Sequence, residues 1–253
     1  MAVKKPIPKK TVVKSTRQTS KKSTKSSSSK IGRFVLKVIL WFFALSIGSV
    51  IFFKFVPVPF TPLMVIRAIE NKMDGKEVYF DHDWEPIEKI SMNLQKAVIS
   101  SEDGRFLKHS GFDFEAMHKA YKSNERGRKV RGGSTISQQT AKNVFLWQGK
   151  SYVRKGLEAY FTVLIELIWS KERIMEVYLN SIEMGDGVYG AEAACQHWYR
   201  KGCASLTEKE AAGIAAILPN PRKFKATGSS SYINKRKNKI VKIMHSIGKV
   251  EYK

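Results

Sequence analysis

Acidic residues are missing from the first 33 positions of this 253-residue chain, which carry eleven Lys/Arg. Residues 1–30 are mostly Lys, Ser, Thr and Pro, so too little apolar surface is present to offset the entropy of ordering, and a packed N-terminal core is excluded. Cysteine is nearly absent too: Cys195 and Cys203, with seven residues between them, make one pair at most and exclude a disulfide framework. In an exported domain the two can pair; in a reducing one they serve as small core residues. Metal-ligating clusters are equally scarce. His82 stands between Asp81 and Asp83 without a second His or Cys at ligand spacing, which reads as a solvated turn and no metal site. Extended segments are few, the clearest being Val78-Tyr79-Phe80, so the expected class is mainly α.

What is present sets the remaining limits. At 43% hydrophobic and 26% charged residues the chain supports one main domain. The net charge is +23, and beyond residue 33 there are still 34 basic against 22 acidic residues, an excess of 12. Such an excess points to anionic partners, nucleic acid or phosphate-bearing lipid.

One long apolar stretch decides between them. Residues 34–56 are interrupted only by Lys37 and Lys54, each near enough to an end to snorkel to the headgroups. At ~1.5 Å per residue the stretch spans roughly the ~30 Å hydrocarbon core of a bilayer. The uncharged part, residues 38–53, is sixteen residues long, short enough to raise a signal peptide or a buried helix as alternatives. No small-x-small cleavage site follows, and Pro57-Val58-Pro59 comes instead, which favours an uncleaved anchor. By the positive-inside rule the cationic tail stays cytoplasmic and the rest lies across the membrane, so no nucleic-acid partner is expected. The expected layout is a disordered tail over 1–33, a transmembrane helix over 34–56 and one domain over 58–253.

Within that domain, residues 87–101 have helical apolar spacing and deliver Glu102-Asp103-Gly104 at their end. A carboxylate there sits at the rim of a cleft, as a base can, or merely marks a helix exit. Gly132-Gly133 leads into Ser134, and Ser134, Gln138 and Lys142 then fall four apart, presenting hydroxyl, amide and ammonium donors in a line that suits a pyrophosphate. A glycine hinge with a solvated helix face fits equally. Ser151 can cap the next helix, in which Arg154, Lys155 and Glu158 form either a surface ion pair or a carboxylate set among cations beside the cleft. Glu166 interrupts an otherwise apolar run, residues 161–169, expected as a core helix. The glycines from Gly185 to Gly190 are too closely spaced for regular structure, and Thr207 with Glu210 forms a capping box. Residues 232–247 are a basic helix with one apolar face, expected to pack on the domain.

Taken in order, these blocks resemble a known family. Glu102-Asp103-x-x-Phe106-x-x-His109-x-Gly111, Gly132-Gly133-Ser134-Thr135-Ile136-Ser137-Gln138-Gln139 with Lys142-Asn143, Arg154-Lys155-x-x-Glu158 and Lys171-x-x-Ile174-x-Glu176-x-Tyr178-Leu179-Asn180 look like the motifs of the peptidoglycan glycosyltransferases, family 51. Gly185 to Gly190 with its Ala-rich successor looks like a fifth. The likeness covers roughly residues 58–221. The Ser-x-x-Lys at Ser27 to Lys30 lies in the tail, and that at Ser246 to Lys249 ends the basic terminal helix, so the expectation is a monofunctional biosynthetic transglycosylase without a penicillin-binding transpeptidase domain. Two departures stand out: Lys150 replaces a frequent Arg, and Trp198-Tyr199-Arg200 replaces aromatic-Phe-Gly.

The resemblance implies a lysozyme-like lobe plus a small membrane-associated lobe built from parts of residues 112–131. It implies an inverting transferase that polymerises lipid II onto a lipid-linked glycan and releases undecaprenyl diphosphate. Glu102 would act as general base and Glu158 as second catalytic carboxylate. Asp103, Ser134, Gln138, Lys142, Lys150, Arg154 and Lys155 would bind substrate. No tightly bound cofactor is expected, although a divalent cation, Mg or Mn, can join at the pyrophosphate. Partners are lipid II, the growing glycan, the membrane and other cell-wall synthesis or division proteins; the location is the bacterial inner membrane, single-pass, N-terminus inside. A membrane-anchored hydrolase acting on peptidoglycan is the rival, since it too uses paired carboxylates. It has no need of a cationic ladder. A non-catalytic tethered module leaves the carboxylate and amide blocks unexplained.

Overall fold

The computed structural model of the chain describes residues 1, 25–75, 80–125 and 133–252. The tail over residues 2–24, the extended reading of Val78 and Tyr79, and Gly132 lie outside them.

Helix α1 (Lys25–Phe55) starts ahead of the apolar stretch, so residues 25–33 are helical and not the unstructured chain expected. Extending a helix adds one hydrogen bond for each residue fixed, so a polar flank can continue from a stable apolar segment. Residues 30–55 are long and apolar enough to cross a membrane. The chain divides into two compact units, Met1–Leu45 and Ser46–Lys253. The second unit therefore begins inside α1, earlier than the expected boundary at residues 56–58. The reason is polar docking: the Ser46 and Tyr160 hydroxyls pair at 2.7 Å, Trp169 Nε1 donates to the Val50 carbonyl at 2.7 Å, and Arg173 donates to the carbonyls of Phe53 and Val56. Val50 itself is fully buried.

Helix α2 (Pro62–Met73) is capped by the Thr61 hydroxyl, with Pro62 at its first position. The next segment, expected to be helical from Ile87, makes a 3-10 turn over Ile87–Lys89, and α3 (Met92–Glu102) starts only after Ser91 caps it. Gln95 Nε2 donates to the Ile87 and Ile90 carbonyls and fixes that kink. Then come α4 (Phe114–Glu125), α5 (Ile136–Phe145), α6 (Tyr152–Ile168) and α7 (Lys171–Ser181). Ser151 is the N-cap residue of α6, but its side chain makes no capping bond.

The glycine-rich stretch is regular after all. Strands β2 (Glu183–Gly185) and β3 (Val188–Tyr189) form a hairpin, with Gly187 at φ 72°, and β1 (Asp81–His82) pairs parallel to β3. His82 is thus no solvated turn: its Nε2 bonds the Asn180 carbonyl at 2.9 Å. Helices α8 (Ala191–Tyr199), α9 (Glu208–Ile217) and α10 (Ser231–Ile247) complete the chain. Thr207 and Glu210 make the expected capping box.

The core has two helical groups. Helix α9 packs between α3 and α10, and its buried Ala211, Ala212, Ala215 and Ala216 allow close backbone approach. Helix α5 packs on α6 and α7, where Phe145 and Phe161 stack with ring centroids 4.6 Å apart. Helix α6 is not buried all round: Phe161 and Ile165 face the core, whereas Val163 and Leu167 are exposed. Both cysteines are free, buried thiols. The hydrogen bond with Cys203, then burial, pushes the Cys195 thiol far above its ordinary range.

Trp169→Phe keeps an aromatic ring, although a smaller one, and removes the donor to Val50, so thermal unfolding in detergent should show a loss of at least about 1 kcal/mol. In a domain this size that lowers Tm by ~2–4 °C. An unchanged Tm removes that bond from the docking of α1.

Candidate active site

Helix α3 ends on Glu102, and the carboxylate is held from three sides. Ser101 Oγ donates to Glu102 Oε1 at 3.1 Å, and Gln139 Nε2 on α5 donates to Oε2 at 3.2 Å. Arg236 Nη2 on α10 lies 3.7 Å from Oε1 and donates to Ser101 Oγ at 3.0 Å. The Glu102 side chain is 15% exposed, enough to reach a ligand without lying in open solvent. Tyr178 sets the direction of the Gln139 amide. Burial, then the charges of Glu102 and Asp103, push the phenol well above its ordinary range. It stays a donor, to Gln139 Oε1 at 3.4 Å, and the amide NH2 turns to Glu102.

Asp103 is buried and turned into the protein. Its carboxylate bonds His109 Nε2 at 2.9 and 3.0 Å and accepts from the Ile136 amide, at the start of α5, at 3.0 Å. An anion at a helix N-terminus is favoured by the free amides and the helix dipole, and here the protein supplies its own. Asp103 is therefore a support that joins α3 to α5, not the substrate ligand of the expected set.

The cap of α5 is Thr135, not Ser134. Thr135 Oγ1 accepts from the Gln138 amide and donates to the Gly111 carbonyl at 2.6 Å. Gln138 closes the capping box, its Oε1 accepting from the Thr135 amide at 3.0 Å. Buried and engaged in this way, Gln138 does not form the expected line with Ser134 and Lys142, and the neighbouring Gln139 is the amide that faces the carboxylate. Ser134 is exposed just ahead of the cap.

Lys142 lies three residues beyond Gln139 on α5, one turn or ~4.5 Å along the axis. Burial lowers its pKa, an effect opposed by the Glu158 carboxylate and reinforced by Arg154 and Lys155. Those four groups make one cluster. Arg154 Nη1 donates to Glu158 Oε2 at 2.7 Å, Lys155 Nζ bonds Glu158 Oε1, and Arg154 Nε reaches the Gly149 carbonyl at 2.8 Å. Glu158 is only 3% exposed. Arg154 and Lys155 pair with the one carboxylate and Lys142 feels its charge, so the group keeps net positive charge. Lys150 is exposed in the loop before α6. Both Glu158 oxygens are taken by cations, and among the described residues no group of three acidic, His or Cys side chains is placed to hold a metal. The donor set therefore does not fit a protein-held divalent cation at Glu158.

Glu166, the polar break in α6, accepts from Ser137 Oγ and from Lys171 Nζ, the latter at 2.7 Å, and so ties α5 and α7 to α6. Arg236 was not singled out in the sequence, where it is one of many cations in a basic helix. A signal was available: it lies three residues after Ile233 and four before Ile240, both buried, hence on the helix's inward face.

Gly111 has φ 88°, and a Cβ there would meet Thr162 Cγ2 at 2.8 Å. Gly111→Ala should destabilise by roughly 1–3 kcal/mol through strain and overpacking. Denaturant titration measures it; a wild-type midpoint would show that the neighbours yield freely.

A profile described as transglycosylase matches residues 70–245. A biosynthetic peptidoglycan transglycosylase of Caulobacter vibrioides is 54% identical over 220 residues, covering 84% of this chain and 93% of that relative. Proteins of the same name from Pseudomonas syringae pv. syringae and Bacteroides thetaiotaomicron are each 51% identical over 220 residues, covering 87% of this chain and 93% and 89% of theirs. Likeness on that scale, spanning every motif read from the sequence, settles the ancestry: the chain belongs to the transglycosylase family.

Proposed function

We propose that the protein is a peptidoglycan glycosyltransferase that polymerises lipid II into β-1,4-linked glycan strands. The observation that carries the reading is the pairing on α5: Gln139 bonds the Glu102 carboxylate, and Lys142 joins the Glu158-centred cations one turn away. Mainly helical architecture of the lysozyme-like class and the names of the relatives agree with it.

A sugar hydroxyl is a weak nucleophile near neutral pH. Glu102 accepts the proton of the acceptor 4-hydroxyl as its oxygen bonds the anomeric carbon of the donor. The bond from that carbon to undecaprenyl pyrophosphate breaks, its electron pair leaves on the phosphate oxygen, and configuration inverts. Lys142, Arg154 and Lys155, with Lys150 and the Ser134 hydroxyl at the rim, stabilise the departing charge. Glu158 positions these cations. No step is assigned to a bound metal.

Anchoring by α1 brings the cleft to the lipid-linked donor, with the N-terminus inside and the domain outside the bacterial inner membrane. The membrane-associated lobe is α4, whose Phe114 and Met117 are exposed. Other cell-wall synthesis or division proteins are partners consistent with such a location. A hydrolase on the same scaffold is disfavoured because Glu158 is committed to Arg154 and Lys155, leaving Glu102 without a second free carboxylate in that cluster.

Purified protein incubated with labelled lipid II should yield long strands and free undecaprenyl diphosphate; cleavage of preformed peptidoglycan without polymerisation sinks the reading. Glu102→Gln should abolish turnover while lipid II binding persists, and near-normal turnover removes Glu102 from the base role.

Arg236→Ala should lower kcat more than it raises KM. A kcat that stays at the wild-type level assigns Arg236 to packing alone. At the alkaline end, Lys142 loses its proton below the ordinary lysine range because its pKa is lowered. KM for lipid II should therefore rise with pH before that range is reached, and Lys142→Arg should postpone the rise.

A further inference from the structure

Helix α2 carries an apolar face with no counterpart in the domain. Val65, Ile69 and Met73, four residues apart, are 45%, 55% and 82% exposed. Beside this ridge runs a groove of about 460 Å³, reaching from Pro59 and Phe60 along the helix to Ile69, with Lys72 at its rim. Another side of α2 is bound to the domain: Leu63 and Met64 are buried in a cluster with Tyr189, and Arg67 faces Glu183 at 3.9 Å. The outward face is thus presented by a helix that cannot roll over to hide it. Contiguous apolar surface of this kind in water marks an interaction site.

Its place in the chain names the occupant. Pro59 and Phe60 line the groove only three and four residues past Val56, whose carbonyl Arg173 ties to the domain. Even fully extended, that linker puts the groove at most roughly 14 Å from the end of α1. The polar headgroup layer lies at this depth, where amphipathic helices bury an apolar face ~5–10 Å and set cations against lipid phosphate. Lys72 has the sign for that contact, as does the basic excess of the chain beyond residue 33.

We propose that the outward face of α2 is a further membrane contact beside α1 and α4, its groove seating an acyl chain of the surrounding bilayer and Lys72 meeting the lipid phosphate. The proposal rests on reading α1 as the span. A contact at α2, within the folded unit Ser46–Lys253, would fix the tilt of that unit together with α4 and hence the height of the Glu102 cleft above the bilayer.

The test uses the full chain in vesicles of phosphatidylcholine and phosphatidylglycerol. An environment-sensitive fluorophore is attached at Ile69→Cys and, as a half-exposed control off the apolar ridge, at Glu70→Cys, with the parent chain labelled in parallel as the blank for the buried native thiols. Expected are a blue shift and loss of emission at position 69 when the lipids carry a nitroxide on the acyl chain, while iodide quenches only position 70. Equal iodide access at both positions overturns the proposal. So does shielding at position 69 that grows with protein density and ignores nitroxide lipid, because a second copy then covers the face. A carbonate wash judges the span separately: protein released by the wash refutes α1 as the anchor, whereas the fluorescence read before it judges α2.

Discussion

One charge-assisted contact fixes the geometry on which the cleft depends, the Asp103 carboxylate docked on the first amide of α5. It joins the end of α3 to the start of α5, and His109 holds its other side. With those termini joined, Gln139 reaches Glu102 and Lys142 falls one turn further along the same helix. Glu102 and Lys142 are therefore positioned by helices and not by loops, which suits the proposed proton removal and departure of an anionic leaving group. Thr135 reinforces the joint by clasping Gly111, where only a glycine fits both the backbone angle and the space.

Charge is distributed unequally between the two ends of the site. Around Glu102 the neighbours are a hydroxyl, an amide and one guanidinium, enough to orient a carboxylate without capturing it in a close ion pair. Around Glu158 the balance reverses, with three cations to one buried carboxylate. A buried carboxylate is stable there only because it is paired. The same pairing leaves surplus positive charge to meet an anion.

The last turns of α1, from Ser46, are part of the folded domain and not of a separate linker. Trp169 and Arg173 bond backbone carbonyls of the last turns of α1, and Val50 is wholly buried. The end of the apolar helix is part of the folded unit, so its position and that of the catalytic helices are mechanically coupled.

Local chemistry was legible in the sequence: the apolar length of α1, the capping box of Thr207 and Glu210, the helical spacing of α10 and the carboxylate at the end of α3. Each depends on neighbours within about a turn, and so does the family likeness carried by contiguous motifs. The roles of individual polar side chains depended on contacts between distant segments. Gln138 and Gln139 are adjacent and identical in type, yet one closes a helix cap and the other bonds Glu102. Asp103 looked like a ligand until Ile136, 33 residues away, claimed it. Arg236 looked like one more surface cation until α10 packed on α3. The sequence by itself determined which elements form and what chemistry they carry; the tertiary structure alone decided which of those groups face one another, because burial and hydrogen-bond partners are fixed only when remote elements pack.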